Sequence, residues 1–152
     1  MSWELPEAFV RGRVVAEAEV DRLGHANNVA YLRWCEGAGW EHAASVGCAF
    51  EQWQALGRAM ATHRASLEYR APCFAGEEIS VGVWMVGNDG RLRAARRFQV
   101  VRPADGATLF RAEIVYACID LATGRPRRMP EAFRRAYAVL PGVAGALAGA
   151  RR

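Results

Sequence analysis

Hydrophobic and polar residues alternate through five stretches of the chain and switch to helical spacing in two. From Val10 to Val20 the apolar Val10, Val14, Ala16, Ala18 and Val20 share one parity. Arg11, Arg13, Glu17 and Glu19 take the other, which predicts a half-buried antiparallel strand. Asp21 to Asn28 is polar and reads as a loop. From Asn28 to about Val46 the residues Tyr31, Trp34, Cys35, Ala38 and His42 recur at helical spacing with no Pro between them. This predicts one long helix, capped by Asn27 or Asn28 and stopped by Gly47. A connecting segment with Trp53 and Leu56 follows. Alternation returns over Ala59–Ala71, where Ala61, His63, Ala65, Leu67 and Tyr69 form the apolar face. It recurs over Ile79–Met85, Leu92–Val101 and Ala107–Ile119. Asn88-Asp89-Gly90 and Pro103-Ala104-Asp105-Gly106 predict the turns between these strands. Pro130 suits the first residue of a short helix to about Val139. Gly142 to Arg152 is rich in Ala and Gly and predicts a frayed, flexible tail behind a single domain of residues 1–141.

The order is strand, long helix, four strands in a meander, then a short helix, an α+β arrangement. One helix cannot cover both faces of a five-stranded antiparallel sheet. The sheet is therefore expected to curl around the helix, with its outer face finding another surface, most simply a second copy of the chain.

Composition narrows the chemistry. All 20 basic residues are Arg, so no lysine exists to form a Schiff base. Asp occurs only at 21, 89, 105 and 120, and His only at 25, 42 and 63. The cysteines Cys35, Cys48, Cys73 and Cys118 have no zinc-ligand spacing and read as buried, reduced thiols. Neither a signal peptide nor a long apolar run is present, which makes a cytoplasmic protein with no membrane partner the expectation. Residues 1–90 hold 7 Arg against 12 acidic residues, and residues 91–152 hold 13 Arg against 4. The basic second half points to an anionic partner. Nucleic acid is not expected, because no helix-turn-helix appears and the aromatics are not interleaved with the arginines.

The densest chemistry lies where the first strand meets the long helix. Asp21 stands just ahead of a helix N-terminus, whose unpaired N–H groups and partial positive charge suit a developing oxyanion. A carboxylate there can act as general base on water or attack a carbonyl directly. The run Asp21-x-x-Gly24-His25-x-Asn27-Asn28-x-x-Tyr31-Leu32-x-Trp34-x-Glu36 resembles the motif of the hotdog-fold acyl thioesterases, specifically the 4-hydroxybenzoyl-CoA thioesterase family. It is also similar to the acyl-ACP thioesterase motif. Leu67-Glu68-Tyr69-Arg70-Ala71-Pro72 with Gly76-Glu77, and Asp120 to Pro130, extend the likeness over about residues 9–137.

The resemblance implies a hotdog fold, a five-stranded antiparallel sheet curled around one long helix. It implies hydrolysis of an acyl-CoA, or of an acyl carrier protein thioester, with Asp21 as the catalytic carboxylate. The backbone amide of Asn28 would bind the thioester carbonyl, Gly24 would let the backbone approach it, and His25 matches a histidine that functions in the acyl-ACP branch. Leu23 stands where that branch places an Asn, which favours the form using Asp and a backbone amide. Asn27, Tyr31 and His63 are the further substrate-binding candidates. Asn27 is also a natural cap, Tyr31 has core spacing, and His63 falls on the apolar side of its strand. Glu36 is a further candidate, since another hotdog branch uses a glutamate elsewhere on the helix. Arg91 and Arg93, in a cluster with Arg96 and Arg97, and Arg125, Arg127 and Arg128 are candidates to grip the coenzyme's phosphates. The alternative for all of them is a solvated edge. The family places its active site at a homodimer interface, often within a dimer of dimers. No metal and no resident cofactor are implied, with coenzyme A present only as part of the substrate. Two other functions fit the same residues: a hotdog enoyl-thioester hydratase or dehydratase, and a non-catalytic acyl-CoA-binding protein.

Overall fold

Five antiparallel strands form one sheet in the structure, a computed structural model that describes residues 3–152. They are β1 (Phe9–Val14), β2 (Arg58–Tyr69), β3 (Glu78–Asn88), β4 (Arg93–Arg102) and β5 (Ala107–Asp120), in the order β1-β3-β4-β5-β2. The helices are α1 (Asn28–Ser45), α2 (Phe50–Leu56), α3 (Glu131–Ala136) and α4 (Pro141–Ala150). No helix among the described residues is long and apolar enough to cross a membrane.

Helix α1 lies against the inner face of the curled sheet. Its helical-period residues Tyr31, Trp34, Cys35 and Ala38 pack on Ile79, Val81, Val83, Phe98, Val100, Phe110 and Ile114, which are the same-parity positions of β3, β4 and β5. All four cysteines are buried and free, and burial pushes the Cys35 thiol up to about 12.

Three expectations change. The meander holds only for β3, β4 and β5. Strand β2 pairs instead with the far side of β5, from Arg58 opposite Asp120 to Tyr69 opposite Phe110. Arg70–Glu77 carries the chain across the end of the sheet. It is held by the amides of Arg70 and Ala71 on the Leu109 carbonyl (2.9 and 3.2 Å) and of Gly76 on the Val15 carbonyl (2.8 Å). Pro72 has no N–H with which to continue a ladder. Strand β1 then takes the free edge of β3.

Strand β1 itself stops at Val14, six residues short of the expected end, and Val14 is exposed. Glu19 reaches back to accept the Ala16 amide (2.9 Å), closing a short 3₁₀ turn over Glu17–Glu19 in place of further ladder pairing.

The tail expected to fray is helical. In α4, Val143 is buried against Leu5 and Trp84, with Trp3 and Leu147 around them. The chain therefore covers part of its own outer sheet face. Trp3 lies so close to Gly82 that a Cβ there would come within 2.7 Å of its ring. Strand β2 keeps an unpaired edge, beside which Leu67 and Tyr69 are exposed.

Candidate active site

The loop from Asp21 to His25 closes on itself. Val20 and Ala26 form an isolated bridge, the Asp21 amide donates to the His25 carbonyl (2.8 Å), and the Gly24 amide donates to the Asp21 carbonyl (3.0 Å). Gly24 has a φ of 82°, a conformation that side chains disfavour. The Asp21 carboxylate takes part through Oδ1, which accepts the amides of Leu23 (2.8 Å) and His25 (3.2 Å). Oδ2 has no hydrogen-bond partner among the described residues, and Asp21 is exposed.

Three contacts pin this loop to the body. The Ala26 amide donates to the Cys73 carbonyl (2.8 Å) and the Asn27 amide to the Glu19 carbonyl (2.8 Å). His25 bridges Phe74, with the rings edge-on at 5.0 Å. Glu19, which sequence alternation placed on the solvent side, is an anchor. Its carboxylate accepts the Trp34 indole N–H (2.9 Å), the Ala16 amide (2.9 Å) and Arg13 (3.2 Å). Burial works against its charge but is outweighed by these donors, so its pKa lies below the ordinary carboxylate value.

Helix α1 begins directly after the loop. The Asn27 side chain accepts the Ala30 amide (2.9 Å) and is committed as the N-cap. The first-turn amides of Asn28 and Val29 find no acceptor among the described residues, as the first helical positions require. They present the positive end of the helix dipole beside the Asp21 loop. Tyr69 fixes this end by donating from its hydroxyl to the Asn28 carbonyl (2.7 Å). Tyr69 belongs to an aromatic cluster with Tyr31 and Phe110, so the sheet and the helix start are tied together.

Tyr31 and His63 lie elsewhere than expected of substrate contacts. Tyr31 is 3% exposed, stacked on Phe110 with its hydroxyl 3.5 Å from Cys73 Sγ, and is core packing. His63 sits at a β-bulge between Thr62 and Arg64 and is exposed. The bulge adds one residue, so the inward parity passes from Thr62 to Ala65 and leaves His63 out.

A cavity of about 250 Å³ runs between α1 and the sheet. Exposed Glu36, Trp40, Thr62 and Ala65 form its rim, and buried Met60, Met85, Ala94, Ile114 and Arg96 lie deeper. Its first α1 residue, Leu32, is one turn, about 6 Å, beyond Asn28. Asp21, His25 and Asn28 do not line it; Glu36 does.

The candidate phosphate-binding arginines gather at the other end of the sheet. The Met129 amide donates to the Arg91 carbonyl (2.8 Å), the Arg127 amide to the Cys118 carbonyl (3.0 Å), and Arg58 Nε to the Arg128 carbonyl (3.3 Å). Arg127 is paired with Asp120 at 2.7 Å. Arg91, Arg93, Arg125 and Arg128 are exposed and have no carboxylate within 4.0 Å among the described residues. Arg96, grouped with them by sequence, is instead inside the cavity.

Comparison with known proteins agrees with this architecture. The sequence profile of the thioesterase-like superfamily matches residues 15–137. Among solved structures, a 1,4-dihydroxy-2-naphthoyl-CoA thioesterase from Synechocystis aligns with a TM-score of 0.77 at 21% identity, covering 86% of this chain and 95% of that one. A Staphylococcus aureus protein in complex with CoA gives 0.81 at 17% identity, covering 91% and 86%. These two show the fold. The dynemicin thioesterase gives 0.75 at 26% identity, covering 87% and 96%.

Proposed function

The chain belongs to the thioesterase-like superfamily and is a thioester hydrolase; from that premise we propose that it cleaves an acyl-CoA to the free acid and CoA at the start of α1. The observation that carries this reading is the pairing of two groups there that are unsatisfied among the described residues: the Asn28 amide without an acceptor and Asp21 Oδ2 without a donor. Water loses a proton to Asp21 and adds to the thioester carbon. The carbonyl electron pair moves onto oxygen, where the Asn28 N–H and the helix dipole hold the negative charge. The tetrahedral adduct collapses, the C–S bond breaks, and the CoA thiolate takes the proton back from Asp21. In the covalent variant Asp21 attacks first, forming a mixed anhydride that water then opens. Asp21→Asn removes the base or the nucleophile while keeping an oxygen for the Leu23 and His25 amides. Its thiol release is expected to fall by roughly 10²–10⁴ with the fold intact.

One observation favours a second base. Glu36 lines the cavity that Asp21 does not. In that reading Glu36→Gln loses thiol release and Asp21→Asn keeps it. Assaying both variants across short, long, branched and aryl acyl-CoAs, and against acyl carrier protein thioesters, decides between them. Unchanged release by both sinks the site altogether.

The active unit in this proposal is a homodimer joined along the two β2 edges. Within one chain the Asp21 loop and the Arg125–Arg128 segment are held near opposite ends of β2, about 36 Å apart along its 12 residues. Antiparallel pairing of two β2 strands brings the arginines of a second copy to the first copy's catalytic end, where coenzyme phosphates need them. A long, unpaired edge without Pro, flanked by exposed Leu67 and Tyr69, suits such pairing.

A further inference from the structure

Arg96 is the one buried cation whose charge the fold leaves without a carboxylate among the described residues. It is 8% exposed, lines the cavity, and has no carboxylate oxygen within 4.0 Å. A guanidinium has five N–H donors and stays charged inside proteins. Here one nitrogen donates to the Tyr116 hydroxyl at 3.3 Å and another meets His42 Nδ1 at 3.4 Å, both long contacts. Nε is buried with no hydrogen-bond partner among the described residues. The faces of Tyr116 and Tyr137 lie 5.3 and 5.8 Å from the charge and soften its desolvation without neutralising it. His42 is held neutral by its burial and by Arg96 itself, so it adds an acceptor and no charge.

The surroundings make room for this charge. A Cβ on Gly39 would fall 2.9 Å from Arg96 Nη1, so the helix keeps a glycine where the guanidinium lies. The remaining deep wall is apolar: Met60, Met85, Ala94 and Ile114. An unpaired buried cation destabilises a fold strongly, and the two tyrosine faces and neutral acceptors offset this only in part. A ligand that brings a carboxylate into the cavity does, through short charge-assisted hydrogen bonds.

We propose that the cavity is an acyl pocket for a dicarboxylic acid held as its mono-thioester, with Arg96 binding the carboxylate at the far end of the chain. The substrate assignment rests on the hydrolysis proposed above. Gly39 lies 11 residues beyond Asn28, about 16 Å along the helix axis. With the thioester carbonyl at Asn28, a long chain spans the distance to Arg96. The apolar wall takes its methylenes.

The test compares thiol release from dodecanedioyl- and tetradecanedioyl-CoA with that from lauroyl- and myristoyl-CoA. The wild type is expected to prefer the carboxylated member of each pair by at least about tenfold in kcat/KM, the scale of a charged hydrogen bond. Arg96→Met is expected to invert that preference and to raise the melting temperature, because it removes an unpaired buried charge. A merely structural arginine predicts a lower melting temperature and no change in preference. Gly39→Ala is the second variant: it displaces the guanidinium without removing it and is expected to weaken the preference. A second readout does not depend on hydrolysis. Trp40 and Trp53 line the cavity, so quenching of tryptophan fluorescence by octanoate against octanol reports carboxylate binding directly. Wild type that binds both equally, or an equal preference in Arg96→Met, overturns the proposal. If no thioester is cleaved while octanoate binding still depends on Arg96, the hydrolysis reading falls and the carboxylate site stands.

Discussion

Helix α4 is a sharp place to test how this fold is held. Its sequence, Pro141 to Ala150, contains Gly142, Gly145 and Gly149. Each glycine disfavours a helix by about 1 kcal/mol relative to Ala, and a ten-residue helix is marginal alone even with good residues. Docking must therefore supply its stability. The docking residue is Val143, 1% exposed against Leu5 and Trp84. Val143→Ala removes two methyl groups, each about 0.8 kcal/mol of transfer, and leaves a small void. The expected loss is about 2 kcal/mol, or about 4–8 °C in melting temperature for a chain of this size. Gly145→Ala tests the same helix in the opposite direction. A Cβ there meets nothing within 4 Å, so the substitution is expected to stabilise by up to about 1 kcal/mol. Urea unfolding of both variants, at unchanged slope, is the assay. A frayed tail predicts that neither variant moves the midpoint, and that result refutes the docking argument.

Two further predictions concern His42 and the β2 edge. Burial, then Arg96, lowers the His42 pKa from 6.5 to about 4. The unfolded chain therefore gains a proton first as pH falls, and His42's contribution, intact above about pH 6.5, is lost between there and about pH 4. The loss is about 3 kcal/mol, and His42→Gln is expected to flatten the pH dependence of stability over that window relative to wild type. A parallel slope in both proteins defeats this assignment. At the edge, Leu67→Arg places a charge beside β2, and sedimentation is expected to shift from twice the 16.7 kDa chain mass to the monomer, with thiol release lost alongside. A fully active wild-type monomer excludes the shared site.

Much of the fold was legible because its signals are local. The helix expected from Asn28 to about Val46 ends one residue from the observed end at Ser45, and Asn88-Asp89-Gly90 turns the chain where a hairpin turn was expected. What failed was non-local. Nothing in the alternation of Ala59–Ala71 says whether β2 pairs with β3 or β5, because pairing depends on where the Arg70–Glu77 crossing is anchored. The tail misled because low helix propensity was read without the outer face of β3, whose Trp84 and Gly82 need covering. His63 misled because one bulged residue reverses the parity of everything after it.

The site shows the same division, with one exception that sequence contained. The Asp21 loop and the Asn28 helix start were readable because they are contiguous. Glu19 and Tyr69 were not, because their roles depend on contacts with Trp34, 15 residues away, and Asn28, 41 residues away. Arg96 differs. Grouping arginines by proximity sets it among Arg91, Arg93 and Arg97, as a candidate for the coenzyme's phosphates or for a solvated edge. Strand parity separates them: Ala94, Arg96, Phe98 and Val100 share one face of β4, and that face is the core. An arginine at a core parity of a strand, between Ala and Phe, is either paired or waiting for a partner. Tyr116 on β5 and His42 on α1 supply only neutral acceptors, and the cavity's own carboxylate, Glu36, is exposed at the rim and not within 4.0 Å of it, which leaves the close balancing charge to what the cavity binds.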